Sequence, residues 1–279
     1  MNIVKQTDSG QTDSGSPILS RLRRGLPCLA LGLRTARNPD LVRIAAAAGY
    51  HKIWVDLEHS TMALDLAAQF CALARDLGME AWVRIPDGDF GAIGRILDGG
   101  ASGIIVPGIE TAGDARHAAS LCRYPPAGTR SQNAFNAGTG YRRQPNDARI
   151  ARANGSTVVQ VLLETPQAVA NAAEIAAVPG VDVVSLGLND LSSACGIAGQ
   201  VQSQIIMDYC RAACVAARGA GKLVVIGGIA GPDHFRALSA MGAAPYLFAG
   251  IDTEMMLAIC EQRIAAWNDI AQPTESTLP

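Results

Sequence analysis

The chain has 279 residues, of which 49% are hydrophobic and 17% charged, an ordinary globular composition with enough apolar material for one large core. A formal net charge of −2 provides no basic footprint for a phosphate backbone, so nucleic acid is not an expected partner. No apolar run approaches the roughly 20 residues that span a bilayer, and no basic-then-apolar signal pattern opens the chain, so a cytoplasmic, non-membrane protein is expected.

Residues 6–15 read Gln-Thr-Asp-Ser-Gly twice in tandem, ahead of Ser16-Pro17. A disordered leader is therefore expected over 1–20, a single catalytic domain over 21–270 and a flexible tail over 271–279. Short apolar runs then alternate with longer amphipathic ones, which is the pattern of repeated βα units. The predicted strands are Cys28–Leu33, Lys52–Asp56, Ala81–Ile85, Gly103–Val106, Val158–Leu163, Val181–Leu186, Leu223–Ile226 and Tyr246–Ala249. Helices are predicted between them, among others over Asp40–Ala48, Leu64–Leu77, Ala112–Cys122, Pro166–Ala177 and Ile205–Arg218. Eight such units favour a closed (β/α)₈ TIM barrel.

Competing chemistries lack their motifs. No G-x-G-x-x-G follows the first strand, Gly100-Ala101-Ser102-Gly103 has the wrong spacing for a nucleophile elbow, and no Cys-x-x-Cys exists for zinc. The seven scattered cysteines read as reduced, mostly buried thiols.

Barrel chemistry collects at the C-terminal ends of strands. Strand two ends in Asp56-Leu57-Glu58-His59, strand three in Arg84, strand five in Glu164-Thr165 and strand six in Gly187-Leu188-Asn189-Asp190. Glu164 and Asp190 could present two carboxylates to one hard divalent ion, or each could cap the helix that follows it. Arg84 needs an anion, either a structural partner such as Asp56 or the developing enolate oxygen of a bound 2-oxo acid. His59 is a structural histidine or, oriented by a carboxylate such as Asp98, a base at neutral pH. Lys52 and Lys222 fall at strand starts, the wrong end for an imine.

In this order the pieces resemble the HpcH/HpaI family of class II pyruvate aldolases, from about Gly25 to Trp267. The motifs that carry the resemblance are Ala48-Gly49-Tyr50 with Val55-Asp56-Leu57-Glu58-His59-Ser60, then Val83-Arg84, Leu97-Asp98-Gly99-Gly100-Ala101 with Val106-Pro107, and Arg123-Tyr124-Pro125-Pro126-Ala127-Gly128-Thr129-Arg130. Leu163-Glu164-Thr165, Gly180-Val181-Asp182 and Gly187-Leu188-Asn189-Asp190-Leu191-Ser192 complete the series.

The resemblance implies a barrel of the phosphoenolpyruvate/pyruvate type whose C-terminal helix, over Asp252–Trp267, swaps onto a neighbour in a hexamer built as a trimer of dimers. It implies Glu164 and Asp190 as ligands of Mg²⁺ or Mn²⁺, with Co²⁺ as another candidate and no organic cofactor. Arg84 would stabilise the enolate, His59 with Asp98 would activate a metal-bound water as base, and Asp56 and Glu58 would stand behind them. The turn Gly187, Leu188, Asn189 and Asp190 would receive the substrate carboxylate on its N–H groups. Arg130, in a long loop over 123–152 that also carries Asn133, Arg142 and Arg143, would face substrate.

The reaction implied is aldol cleavage of a 4-hydroxy-2-oxo acid to pyruvate, or a related 2-oxo acid, and an aldehyde through a metal-stabilised enolate. Family members often read Gly-Pro-x-Asp where this chain has Leu188-Asn189, and many have glutamine where it has Leu162. Those departures keep open a citrate-synthase-like condensation of oxaloacetate with acetyl-CoA, as in siderophore synthesis. A non-catalytic barrel is the third reading.

Overall fold

A computed structural model describes residues 15–271. Most of the expected leader and nearly all of the expected tail lie outside the described residues. Eight parallel strands form a nearly closed barrel: β1 (Cys28–Leu33), β2 (Lys52–Asp56), β3 (Glu80–Arg84), β4 (Gly103–Val106), β5 (Val158–Leu163), β6 (Val183–Gly187), β7 (Leu223–Gly227) and β8 (Tyr246–Ile251). Their hydrogen-bonded order is β7-β6-β5-β4-β3-β2-β1-β8. No ladder joins β7 to β8 among the described residues. That seam is closed at its lower end by the Ala244 N–H, which donates to the Val224 carbonyl at 2.7 Å.

The helices that wrap the barrel are preceded by α1 (Pro17–Arg23), then α2 (Asp40–Ala48), α3 (Leu64–Asp76), α4 (Ile93–Asp98), α5 (Ala112–Leu121) and α6 (Asn146–Ser156). They continue with α7 (Pro166–Ala170), α8 (Ala172–Ala176), α9 (Leu188–Ala194), α10 (Gln204–Gly219), α11 (Pro232–Met241) and α12 (Asp252–Ala271). The single helix predicted over Pro166–Ala177 is two, broken at Asn171, whose side-chain Nδ2 donates to the Glu110 carbonyl. No described helix is long and apolar enough to cross a membrane.

Alternation along each strand sorts side chains between two cores. Ile53, Val55, Ala81, Val83, Ile104 and Val161 face outward to the helices. Trp54, Trp82, Ile105, Val158, Val183, Val225 and Tyr246 fill the barrel. Each inward tryptophan has a glycine as its cross-strand partner, Trp54 opposite Gly32 and Trp82 opposite Gly103. A Cβ at Gly32 would stand 2.9 Å from Trp54, and one at Gly103 2.8 Å from Trp82. The same alternation carries Asp56 (in phase with Trp54), Arg84 (with Trp82) and Glu164 (with Gln160 and Leu162) toward the barrel axis at its C-terminal mouth.

The leader boundary expected at residue 20 falls inside α1, and the structure moves it. Ser16 caps this helix by accepting from the Leu19 N–H, and Pro17 opens it. Ser16 Oγ and the Ile18 N–H both donate to Glu80 Oε1, at 2.6 and 2.8 Å. Ile18, Leu19 and Leu22 are buried with the barrel's inner residues. The helix thus floors the barrel, on an i, i+1, i+4 apolar stripe that the polar repeat before it obscures. Lys52 sits above that floor, with Nζ 3.1 Å from the Trp82 ring centroid, and complete burial drives its amine well below the usual lysine range. All seven cysteines are free, with Cys195 half-buried and Cys260 exposed.

Candidate active site

The barrel mouth opens into a pocket of about 970 Å³. Its charged wall begins at the end of β2, where Asp56 is wholly buried. Arg84, on the paired end of β3, binds Asp56 through two parallel bonds, Nε to Oδ1 at 2.9 Å and Nη2 to Oδ2 at 2.7 Å. Its remaining terminus, Nη1, lies 2.8 Å from Glu58 Oε2. Trp54 packs beneath the guanidinium, 5.0 Å away. Three fixed contacts and an aromatic floor leave Arg84 almost no rotamer freedom, the condition for a preorganised cation.

Asp56 also accepts from Arg34 Nε at 2.7 Å. Burial pushes its carboxyl up, but the hydrogen bonds and charge of Arg84 and the bond from Arg34 more than reverse this and hold it below the usual carboxylate range. Arg34 was not singled out from the sequence, although it directly follows β1 and the strand-end rule applied to β1 would have found it. Asp252, at the start of α12, holds this strand end by accepting from the N–H groups of Arg34, Thr35 and Ala36.

Glu164 directly follows β5, Asp190 lies in the first turn of α9 after β6, and both line the pocket. Glu164 leans against Gly187, where an added Cβ would stand 2.9 Å from its Oε1, and its other oxygen accepts from the Gly108 N–H at 3.4 Å. Burial first, then the Asp190 charge, pushes the Glu164 carboxyl up to about 7. Neither residue makes a side-chain cap. Thr165 caps α7 through Oγ1, and α9 starts at Gly187 with no side-chain cap. The capping reading therefore fails for Glu164, whose helix has another cap.

Two mutually repelling carboxylates suit a hard divalent ion. Among the described residues no group of three or more His, Cys, Asp or Glu could hold a metal, so an ion between Glu164 and Asp190 would keep water or substrate oxygens as its other ligands.

His59 lies in the same pocket, with Nε2 3.9 Å from Glu58 Oε2 and its side chain 54% exposed. Leu162 and Leu188, the two departures, both form pocket wall. Gly187 and Asn189 are there too.

Asp98 and Arg130 are brought to each other instead, and to the opposite end. Asp98 ends α4, just before β4 begins, and accepts from Arg130 Nη2 at 2.6 Å and Asn136 Nδ2 at 3.1 Å. Between that end and His59 stands a strand length, roughly 15 Å. Within one chain Asp98 does not meet His59 and Arg130 does not line this pocket. Sequence order ties Asp98 to β4 but does not say at which end of the barrel its side chain finds partners.

A family profile described as HpcH/HpaI aldolase/citrate lyase matches residues 34–257. A 4-hydroxy-4-methyl-2-oxoglutarate aldolase from Hapsidospora irregularis is 37% identical over 215 residues, 76% of this chain and 79% of that protein. An HpcH/HpaI aldolase from Desulfitobacterium hafniense has a crystal structure that superposes with a TM-score of 0.83 at 27% identity, covering 93% of this chain and 96% of that one. A citrate synthase structure superposes with a TM-score of 0.80 over 90% of this chain and 97% of the other, but at 23% identity that likeness shows the fold alone. The chain belongs to the HpcH/HpaI aldolase/citrate lyase family.

Proposed function

We propose that this family member is a carbon–carbon lyase that cleaves a 4-hydroxy-2-oxo acid to pyruvate, or a close relative, and a carbonyl fragment. The observation that carries this reading is the pairing of Glu164 with Asp190 beside an arginine immobilised by Asp56 and Glu58. The curated aldolase relative supports the same reaction class.

In this reading Glu164 and Asp190 hold a divalent ion, Mg²⁺ or Mn²⁺ or Co²⁺. When bound, the ion supplies Lewis-acid polarisation of the 2-oxo acid and acidifies its C3 protons. Arg84 donates to the C2 oxygen as negative charge gathers there, with no reorganisation needed because its carboxylate partners already fix it. His59, at the solvent edge of the pocket, takes up the C4 hydroxyl proton as the C3–C4 bond breaks and returns a proton to C3 of the enolate. The first turn of α9, at Leu188, Asn189 and Asp190, offers N–H groups to the substrate carboxylate. Leu162 sets apolar wall where many family members carry glutamine, and together with Leu188 it sets which donor fits. No feature of the mouth favours the citrate-synthase-like alternative over this one.

The exposed apolar side chains of α12, Met255, Met256, Leu257, Ile259, Ile264 and Trp267, support a homo-oligomer in which this helix covers a neighbour, in keeping with the implied hexamer. In such an assembly Asp98 and Arg130 reach a catalytic pocket only if they reach a neighbour's.

The test is C3 proton exchange of pyruvate in D₂O, followed by NMR on protein stripped with EDTA and then resupplied with Mg²⁺ or Mn²⁺. Exchange that requires the ion is expected. Exchange that survives stripping, or none under any condition, would overturn the reading.

A further inference from the structure

A second pocket, of about 350 Å³, lies at the N-terminal face of the barrel, a strand length from the mouth. Four arginines from three separate elements line it. Arg75 comes from the last turn of α3, Arg130 from the loop that follows α5, and Arg149 and Arg152 from α6. The last two are three residues apart and so share a helix face. Among the described residues Glu80 is the one acid in the lining, and its oxygens already accept from Ser16, Ile18 and Trp82.

The floor of this pocket is unusual in its charge. Arg149 is 2% exposed, yet among the described residues it pairs with no carboxylate. Its Nη2 donates to Gln132 Oε1 at 3.1 Å and reaches Asn146 Oδ1 at 3.5 Å, while Nε and Nη1 have no hydrogen-bond partner. Arg130 spends Nη2 on Asp98 and leaves Nε without a partner. Both guanidiniums lie over the Tyr124 ring, at 4.5 and 5.2 Å from its centroid, so one aromatic face or edge supports two like charges. At the rim Arg75 and Arg152 stand close enough that, after burial, the charge of Arg152 is what most lowers the proton affinity of Arg75. Buried cations with idle donors are costly unless an anion meets them.

We propose that this pocket binds a small dianion through a phosphoryl group, either free phosphate or a phosphate ester. The cations converge from α3, α6 and the loop, and a tetrahedral group directs oxygens along several such lines at once where a planar carboxylate does not. Arginine forks match those oxygens in pairs. The volume takes a phosphoryl group with a short organic remainder. Within one chain the site shares no residue with the catalytic mouth, and its test rests on Arg75 and Arg152 alone, so it stands or falls apart from the aldolase reading.

The experiment is isothermal titration calorimetry of the full-length, Mg²⁺-loaded protein with inorganic phosphate, glycerol 3-phosphate and the tricarboxylate tricarballylate. Saturable phosphoryl binding is expected, with the tighter of the two phosphates telling free anion from ester. The double variant Arg75→Ala/Arg152→Ala, both at exposed positions, should lose at least about tenfold in affinity while its pyruvate C3 exchange is unchanged. Arg84→Ala should keep the binding, which separates this pocket from the mouth. Absence of saturable binding at millimolar phosphate, equal binding by the double variant, or preference for tricarballylate would each overturn the proposal.

Discussion

Arg84 and Asp56 meet through two parallel hydrogen bonds, 2.9 and 2.7 Å long, at the paired ends of β3 and β2, with the aspartate wholly buried. The two partners should fail differently when removed. Arg84→Ala leaves Asp56 still paired with Arg34, so the fold and metal binding should survive while kcat falls about 10²- to 10³-fold, the usual loss for one donor to a developing oxyanion. Steady-state kinetics beside a calorimetric metal titration checks this, and unchanged turnover would exclude the role given to Arg84.

Asp56→Ala instead leaves two arginines facing each other without their shared anion. It should cost about 3–5 kcal/mol of stability, as breaking a buried pair does. Because the folded state holds the Asp56 carboxyl below its ordinary value, its contribution is present above the unfolded value and is lost as pH falls through the folded one. Denaturant unfolding of wild type and variant should therefore converge in strong acid. A constant gap down to low pH would show that the pair is not what links stability to pH.

Glu164 has the opposite sign. With its carboxyl raised to about 7, the folded metal-free protein binds this proton more tightly than the unfolded chain, so stability falls as pH rises from the ordinary carboxylate range through 7. A divalent ion must displace that proton, so its affinity should drop by roughly tenfold per pH unit below 7 and level off above it. Melting of EDTA-treated protein at pH 5 and pH 8, with and without Mg²⁺, measures both. Glu164→Gln should abolish the pH dependence together with the stabilisation by metal.

The tryptophan–glycine pairs give a test inside the barrel. Gly103→Ala sets a methyl 2.8 Å from the Trp82 ring and should destabilise by about 1–3 kcal/mol through overpacking, read by urea unfolding. Trp82→Phe in the same chain should recover part of that loss, since the smaller ring withdraws from the new methyl.

On α12, Met256→Glu with Trp267→Glu should lower the mass seen by light scattering while leaving the circular dichroism of the barrel intact. Both side chains are exposed in the single chain, so their loss disturbs contacts between copies and not within one.

Much of this was legible in the sequence, for identifiable reasons. Strands such as Cys28–Leu33 and Val158–Leu163 have the boundaries predicted because short apolar runs between polar breakers leave little choice. Arg84 ends a strand, Glu164 directly follows one, and His59 and Asp190 come three residues after one, so all four share a mouth, because strand ends in a barrel are neighbours whatever their separation in the chain. Asp98 and Arg130 lie away from the chain's own mouth because they belong to a helix end and a long loop, whose position depends on tertiary partners such as Asn136 that no local pattern reveals. The floor helix was missed because Ile18, Leu19 and Leu22 make a short stripe beside a polar repeat. Arg149, a charge on an otherwise polar helix, reads as surface until packing against Tyr124 buries it.

The seam between β7 and β8 gives the barrel a preferred direction of compliance. Six strands share ladders with a neighbour on both sides, while β7 and β8 each have only one, and the bond from Ala244 to Val224 fastens their lower ends. A wall pinned at the base and unlaced at the rim yields like a collar. Phe248 and Gly227, which face each other across that gap near the mouth, can separate without breaking a single rung, so room for a bulkier carbonyl fragment is to be found along this line first, on the side away from Arg84 and its carboxylates.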